Sequence, residues 1–325
     1  MVTNRVMNST KKLTNDARKT STPHMGAREW WLLVALSVIW GGSFFFIKVA
    51  VHEVTPLTVV LLRVGVAAVL LQVYVYLTGR RMPTSLRTWG SCFLMGLLTN
   101  ALPFSLIVWG QQYIDSSLAS ILNAASPIFS VFLAHLLTHD EPMTAPRVIG
   151  VLLGWAGVAM LIGFESLRGL GLHIWGQLAV IGAALSYAFS AIYGKRFKGT
   201  SSVVLAAGML TSATVIMLPL AIIFEHPLAI SPSAQAWGAM LGLTVISTAF
   251  AYLIYFRLLA SAGATNALLV TFLIPVTAIL LGVTILGERP DWHAFGGLAL
   301  ILIGLAAIDG RLVGKLRAAR QRSTL

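Results

Sequence analysis

The sequence predicts an all-α polytopic membrane protein with ten transmembrane helices, arranged as two five-helix inverted-topology repeats with both termini cytosolic. Three observations carry this expectation. Apolar stretches of spanning length follow one another down the chain. Charged residues are 10% of the total, against 57% hydrophobic, and the acidic ones keep to span ends, loops and the tail. The second half of the chain also echoes the first. Mean hydropathy is +0.83, whereas soluble domains carry about 25% charged residues.

A hydrocarbon core about 30 Å thick needs about 20 apolar residues per helix. The segments that qualify run approximately 30 to 50, 57 to 77, 89 to 109, 116 to 137, 147 to 164, 174 to 194, 203 to 224, 236 to 257, 264 to 286 and 292 to 309. The alternation of a membrane β-barrel is absent, and Leu118 to Leu137 contains no Asp, Glu, Lys or Arg. Closed helices are the structure that leaves no backbone group unpaired in lipid.

The repeat is read residue by residue. Trp89-Gly90 returns as Trp237-Gly238 and Pro127 as Pro275 at an offset of 148. Gly150, Gly157 and Gly163 return as Gly297, Gly304 and Gly310 at 147, while Trp40, Ser43 and Lys48 face Tyr187, Ser190 and Lys195. Five spans per unit is an odd number, so the second copy enters the membrane in the opposite sense. A two-fold axis in the membrane plane and a midplane cavity between facing helices are expected, as in repeat-built secondary transporters. The units are placed at residues 29–165 and 170–310, between a disordered basic tail at 1–28 and a second basic tail at 311–325.

Lys and Arg collect on cytoplasmic loops. With the N-terminus inside, the inner side receives the basic tails together with Arg80, Arg81, Arg87, Arg147, Lys195, Arg196, Lys198 and Arg257, while Lys48, Arg168 and Arg289 remain outside. This asymmetry, with attraction to anionic lipid, accounts for the formal net charge of +12 without a nucleic-acid partner. The first apolar segment is too long for a cleaved signal, and Cys92, the single cysteine, has no intrachain disulfide partner. A bacterial inner membrane is the expected location.

The stretch Ile39-Trp-Gly-Gly-Ser-Phe-Phe-Phe-Ile-Lys48, followed by Pro56-Leu-Thr and Leu62-Arg63, resembles the opening of an EamA-type member of the drug/metabolite transporter superfamily. In the second half, Tyr255-Phe-Arg-Leu-Leu259, Gly263-Ala-Thr265, Leu273-Ile-Pro275-Val, Gly282 and Leu286-Gly-Glu288 are similar to the family's closing pattern. Ser117-Leu-Ala, Ser126-Pro127 and Glu141 complete it in the first half. The resemblance spans Trp30 to Gly310 and implies a carrier of small metabolites, often an exporter.

Candidate solute contacts follow from polarity and spacing. Ser37, Trp40, Gly41, Phe44 and Lys48 step by three and four residues and share one helical face; that face either lines the cavity or packs on neighbours. Arg63 lies about a third of the way into the second span, where a guanidinium costs about 2.5 to 3.5 kcal/mol. It either holds a carboxylate or phosphate, or it caps helix carbonyls or pairs with Glu53. Its repeat counterpart is Leu210. Asn100 pairs with Thr248 and Asn123 with Thr271 across the repeat, and Tyr252 stands opposite Phe104. Pro103, Pro127 and Pro275 remove backbone donors inside spans and are candidate flex points, and Lys48 and Lys195 are interfacial anchors or gates. The substrate-binding set expected is thus Ser37, Trp40, Phe44, Arg63, Asn100, Asn123, Tyr187, Tyr252 and Thr271.

Gly150-x-x-x-Gly154 and Gly238-x-x-x-Gly242 suit close helix crossings, and a homodimer contact is left open. Acidic residues avoid mid-membrane positions, which disfavours a proton-coupled cation exporter; His135 is the histidine deepest in a span. No Walker A loop, His-Glu-x-x-His or cysteine pair occurs, so neither a cofactor nor a metal is expected. The reading is an alternating-access exporter of small polar or amphipathic metabolites, amino-acid-like or organic anions. An intramembrane enzyme acting on a lipid or small molecule, or a non-transporting regulator, is the alternative.

Overall fold

The computed structural model describes residues 25–138, 143–163, 171–194, 196–197, 201–227 and 230–309, without the side chains of 264 and 265. Among them nine helices have the length and apolarity to cross a membrane, and a tenth is shorter. They are α1 (Ala27–Ala50), α2 (Pro56–Leu77), α3 (Leu86–Gly110), α4 (Ser116–Leu137), α5 (Ala145–Ile162), α6 (Leu172–Gly194), α7 (Ser202–Phe224), α8 (Ala234–Ala262), α9 (Val270–Thr284) and α10 (Trp292–Asp309). Residues 1–24 and 311–325 of the expected tails, together with Lys195, Lys198, Asp140, Glu141, Glu165 and Arg168, lie outside the described residues, while Ala27 and Arg28, expected in the first tail, already belong to α1.

Most of the long helices are apolar all round, the pattern of a segment solvated by lipid rather than water. Large side chains such as Trp31, Val69, Tyr76, Leu77, Phe224 and Ile303 remain exposed, whereas Leu36, Ile47, Leu122, Leu210, Leu243 and Leu258 are sealed inside. Packing respects the repeat. The pair α1–α9 is answered by α6–α4, α1–α8 by α6–α3, and α2–α8 by α7–α3. Two pairs, α2–α7 and α5–α10, map onto themselves and so lie across the pseudo-two-fold axis.

Lipid provides no hydrophobic drive for helices to associate, so close backbone approach between small residues has to supply it. A Cβ added at Gly150 would fall 2.5 Å from the Gly304 carbonyl, and one at Gly157 would fall 2.7 Å from that of Gly297. These glycines lock α5 to α10 within one chain. At α1, a Cβ on Gly41 would sit 2.8 Å from the Ile274 carbonyl of α9. This part of the first-span stripe is helix packing.

Two expectations are corrected. Gly238 meets nothing within 4 Å and Gly242 instead makes room for the Phe46 ring, so this glycine pair does not form a two-glycine crossing. The ninth span is not continuous from 264 to 286: a single turn at Ala264–Ala267 precedes α9 and a non-helical step at Leu268 and Leu269 separates them. Its counterpart α4 is also interrupted, at Ala124 and Ala125.

Gly157→Leu is expected to lower stability by about 1–3 kcal/mol through overpacking of the α5–α10 contact, whereas Gly238→Leu leaves it within about 0.5 kcal/mol. Thermal unfolding in detergent separates the two; equal shifts would refute the assignment of α5–α10 as the tight crossing.

Candidate functional site

The centre of the bundle is organised by two departures from α-helical geometry. In α3 the segment Leu97–Ala101 is π-helical, and in α8 so is Gly242–Phe250. Shifted by the repeat offset of 148, the first becomes 245–249 and falls inside the second. A π segment widens the ring of backbone hydrogen bonds and leaves carbonyls without an intrahelical donor, which is why such segments gather at functional sites.

Leu98 shows the local consequence. The Leu102 amide bonds back five residues to Leu97, and residue 103 is proline, which has no N–H to offer. The Leu98 carbonyl therefore has no intrahelical donor, and the Ser186 hydroxyl of α6 donates to it at 2.8 Å. On the other π segment Ser247 donates to the Ile39 carbonyl of α1 at 3.0 Å. Each π segment is thus tied to the first helix of the opposite chain half by a serine hydroxyl: α3 to α6, and α8 to α1.

Arg63 of α2 occupies the space between these segments and is only 5% exposed. Its Nε donates to Thr248 Oγ1 of α8 at 3.0 Å, and its guanidinium carbon lies 3.6 Å from the centroid of the Phe104 ring on α3. Thr248 Oγ1 in turn donates to the Leu243 carbonyl at 2.8 Å. The circuit is completed by Tyr252, whose hydroxyl donates to Asn100 Oδ1 at 2.9 Å. Tyr187 of α6 and Tyr252 stand close enough to the guanidinium to interact with its charge. Asn100 with Phe104, and Thr248 with Tyr252, are one helical turn apart and are repeat equivalents. A symmetric pair of polar-plus-aromatic turns thus surrounds one unsymmetrical cation.

From Tyr252 a run of rings leads to α1. Tyr252 stacks on Phe256 with centroids 5.7 Å apart, Phe256 meets Tyr255 at 5.5 Å, and Tyr255 meets Trp40 at 5.4 Å. Trp40, Tyr187 and Tyr252 are half-buried and keep part of their surfaces open.

Of the expected contacts, Arg63, Asn100, Tyr187 and Tyr252 come together, and Trp40 joins them through rings. Others are placed apart. Ser37 is buried with its hydroxyl on the Val34 carbonyl at 2.8 Å, and Phe44 is buried on α1. Thr271 returns its hydroxyl to Leu268 at 2.7 Å. Asn123 closes the first half of α4, where its Oδ1 is buried without a partner. Pro103 opens the α-helical segment that follows the π turn, and Pro127 opens the second half of α4, where Ser126 donates its hydroxyl to the Asn123 carbonyl at 2.6 Å. That bond replaces the amide that Pro127 lacks. Pro275 alone of the three sits inside a continuous helix. Arg63 does not pair with Glu53, whose carboxylate is committed to Ser233. Phe104 and Thr248 belong to the cluster although neither is in the expected binding set.

One end of the bundle is held by carboxylates that cross between repeats. Glu225, following α7, accepts from the Leu57 and Thr58 amides at 3.0 and 2.7 Å and so caps α2. Glu288, following α9, accepts from the Ser116 amide and hydroxyl, both at 2.7 Å, and from the Ser117 amide and hydroxyl, capping α4. Glu53, before α2, accepts from the Ser233 amide and hydroxyl at 2.6 and 2.7 Å, at the start of α8. Helix N-termini favour such anions. Gly287, at φ 70°, adopts the left-handed conformation that turns Glu288 back toward α4, and a Cβ at Gly282 would come 2.6 Å from the Ser117 hydroxyl. At the same end Lys48 donates to the Gln111 and Ile114 carbonyls at 3.0 and 2.8 Å, closing the C-terminus of α3.

The hydrogen bonds from Ser233, the backbone amide first, hold the Glu53 carboxyl below its ordinary range. Burial, with Glu288 adding to it and Lys48 and His173 opposing, pushes that of Asp115 up. The signs are therefore opposite. Acidification neutralises Asp115 first, which favours its buried setting, and removes the contribution of Glu53 only at lower pH.

An inverted-repeat helical bundle with a buried cation beside the π segment of α8 and the aromatic turn that follows the π segment of α3 has the architecture of the repeat-built membrane transporters. The chain belongs to the EamA-like transporter family, whose model matches it twice, at residues 28–163 and 174–308. It is 26% identical over 274 residues to the "Uncharacterized transporter YoaV" of Bacillus subtilis, covering 84% of this chain and 94% of that one. It is 27% identical over 279 residues to the "Uncharacterized inner membrane transporter YedA" of Escherichia coli K12, covering 84% and 89%. It is also 29% identical over 281 residues to the "Uncharacterized transporter YvbV" of Bacillus subtilis, covering 86% and 90%. A solved crystal structure superimposes with a TM-score of 0.63 at 19% identity, over 90% of this chain and 99% of its own, and shares the fold.

Ser186→Ala is expected to cost about 1–3 kcal/mol by orphaning the Leu98 carbonyl. Ser190→Ala, whose hydroxyl returns to Tyr187 on its own helix, serves as the control and should change stability by less than half as much. Unfolding midpoints of the two variants test the repair of the π turn.

Proposed function

We propose that the protein is a secondary carrier that exports small polar or amphipathic metabolites, amino-acid-like or organic-anion in class, by alternating access between its two repeats. The observation that carries this reading is Arg63, a guanidinium buried in mid-bundle and held between Thr248 in the π segment of α8 and Phe104, one turn beyond the π segment of α3. An ionisable side chain is costly there and persists where it meets a solute or an ion path. The paired π segments supply hinges at matching depths, and the Trp40 to Tyr252 run of rings offers faces for apolar parts of the solute.

In this reading residues 29–165 and 170–310 are the two moving bodies, between basic tails at 1–28 and 311–325. The end rich in Arg faces the cytosol together with both termini, in a bacterial inner membrane. The carboxylate end faces outward, and Glu53, Glu225 and Glu288 form an outer closure that has to release for the solute to leave. No nucleic acid, metal or cofactor enters the cycle.

Counterflow by purified protein in liposomes, screened across amino acids, organic acids, sugars and dyes, tests the proposal. Saturable accumulation of one class that disappears in Arg63→Ala is the expected result; no accumulation of any class by well-folded protein overturns it. The outer closure has its own test. In a Cys92→Ala, Phe44→Cys background, alkylation by an impermeant maleimide from outside is compared at each pH with alkylation of the same cysteine in unfolded protein, which removes the fall in thiolate. The ratio should drop on mild acidification, as Asp115 is neutralised, and rise in stronger acid, as Glu53 loses its charge. A ratio independent of pH would remove the carboxylates from the closure.

A further inference from the structure

We infer that the central site takes a small carboxylate anion that carries an apolar or aromatic tail and no ammonium group. This rests on the carrier reading and chooses between the two solute classes within it. Among the described residues no carboxylate pairs with Arg63, whose one hydrogen bond is the contact from Nε to Thr248. Its two terminal nitrogens, with four N–H groups, remain to be satisfied. Asn100 is fully buried, and its Nδ2 also lacks a partner. Two of the acceptors around them are already engaged, since Asn100 Oδ1 receives the Tyr252 hydroxyl and Thr248 Oγ1 receives Arg63, and the Tyr187 and Tyr252 hydroxyl oxygens beside the guanidinium are neutral.

The site is therefore rich in donors and positively charged. A carboxylate presents two oxygens with the spacing that a guanidinium fork accepts. It would also cancel the buried charge, so the occluded complex crosses the membrane interior neutral. An ammonium group meets the reverse conditions: acceptors are scarce and a like charge is close. A zwitterion would leave the complex with a net positive charge, whose burial in lipid is unfavourable. The polar end of the solute is thereby assigned to Arg63 and Asn100. The Tyr252, Phe256, Tyr255 and Trp40 rings extend away from that point and suit a flat or apolar tail.

A matched series provides the test: 3-phenylpropanoate, phenylalanine, phenethylamine and 3-phenylpropan-1-ol share a ring and a three-atom or similar chain and differ in charge. Acetate, butanoate and indole-3-acetate extend the carboxylates. Binding is read from tryptophan fluorescence and thermal stabilisation of the purified full chain. The tailed carboxylates should bind at least about tenfold more tightly than phenylalanine, with the amine and the alcohol weaker still. Arg63→Ala should weaken them by at least about thirtyfold, the effect of removing one partner of a buried hydrogen-bonded charge pair. Should that variant fail to fold, Arg63→Leu, which copies the repeat counterpart Leu210, takes its place. Asn100→Asp supplies an internal carboxylate and should abolish anion binding while leaving the unfolding midpoint unchanged or raised.

Failure of every carboxylate to bind, or equal binding of the amine or amino acid, overturns the inference. So does counterflow of a non-carboxylate solute that is indifferent to Arg63→Ala, a result that leaves the carrier reading intact. Carboxylate binding that depends on Arg63, without counterflow of any solute, upholds the anion site and removes the carrier reading.

Discussion

A backbone in lipid has no water to hydrogen-bond with, and this constraint governs both the regular and the irregular parts of the molecule. Long helices satisfy it internally. At two places where the chain leaves the α-helical ladder inside the bundle, a serine hydroxyl restores the lost bond. Ser186 serves the Leu98 carbonyl and Ser126 serves Asn123. Thr248 donates to the Leu243 carbonyl within the π segment and accepts from Arg63, so the same hydroxyl ties the backbone of α8 to the buried cation. A substitution there changes both contacts.

The two ends and the centre of the bundle use different physics. At the centre, one guanidinium is held by a hydroxyl and an aromatic face, with donors to spare. At the acidic end, carboxylates are matched to helix N-termini across the repeat boundary, and each contact satisfies amides that a helix start would otherwise leave open. The α5–α10 pair uses neither charge nor hydroxyls at its glycine contacts, only the close approach of backbones. Polar contacts between repeats can be exchanged for water or solute, whereas the glycine seam offers nothing to exchange. In the proposed cycle, motion between the repeats is therefore expected to be largest around α1 to α4 and α6 to α9 and smallest at the α5–α10 seam that joins the two bodies.

Most of the architecture was legible in the sequence, because hydrophobic length and repeated landmarks such as Trp89-Gly90 and Trp237-Gly238 survive without any knowledge of contacts. The conspicuous members of the central cluster were legible too: Arg63 as a charge out of place, and Asn100 and Tyr252 as polar groups deep in spans. Phe104 was not, since a phenylalanine in a membrane helix is indistinguishable from lipid-facing filler until a guanidinium is found on its face. The π segments were invisible for a related reason. They are a property of backbone register, and Pro103 hinted only at a missing donor. The carboxylates at span ends were legible as an absence from mid-membrane, but their pairing joins residues more than 160 positions apart. The Gly-Glu pair at 287 and 288 is the one local trace, a turn residue beside the group it redirects.

The repeat symmetry is broken at its centre: Arg63 has Leu210 as counterpart, while the turns around it match in position. Were both halves identical, exchanging their conformations would yield a second state of equal energy, and neither opening would be preferred in the absence of a gradient. A single cation attached to one half removes that degeneracy. In the proposed cycle the empty protein is thereby given a resting side, set by which arrangement solvates the guanidinium better. An occupant that neutralised it would bring the two states closer in energy, so the proposed solute would help to level the path along which it is carried.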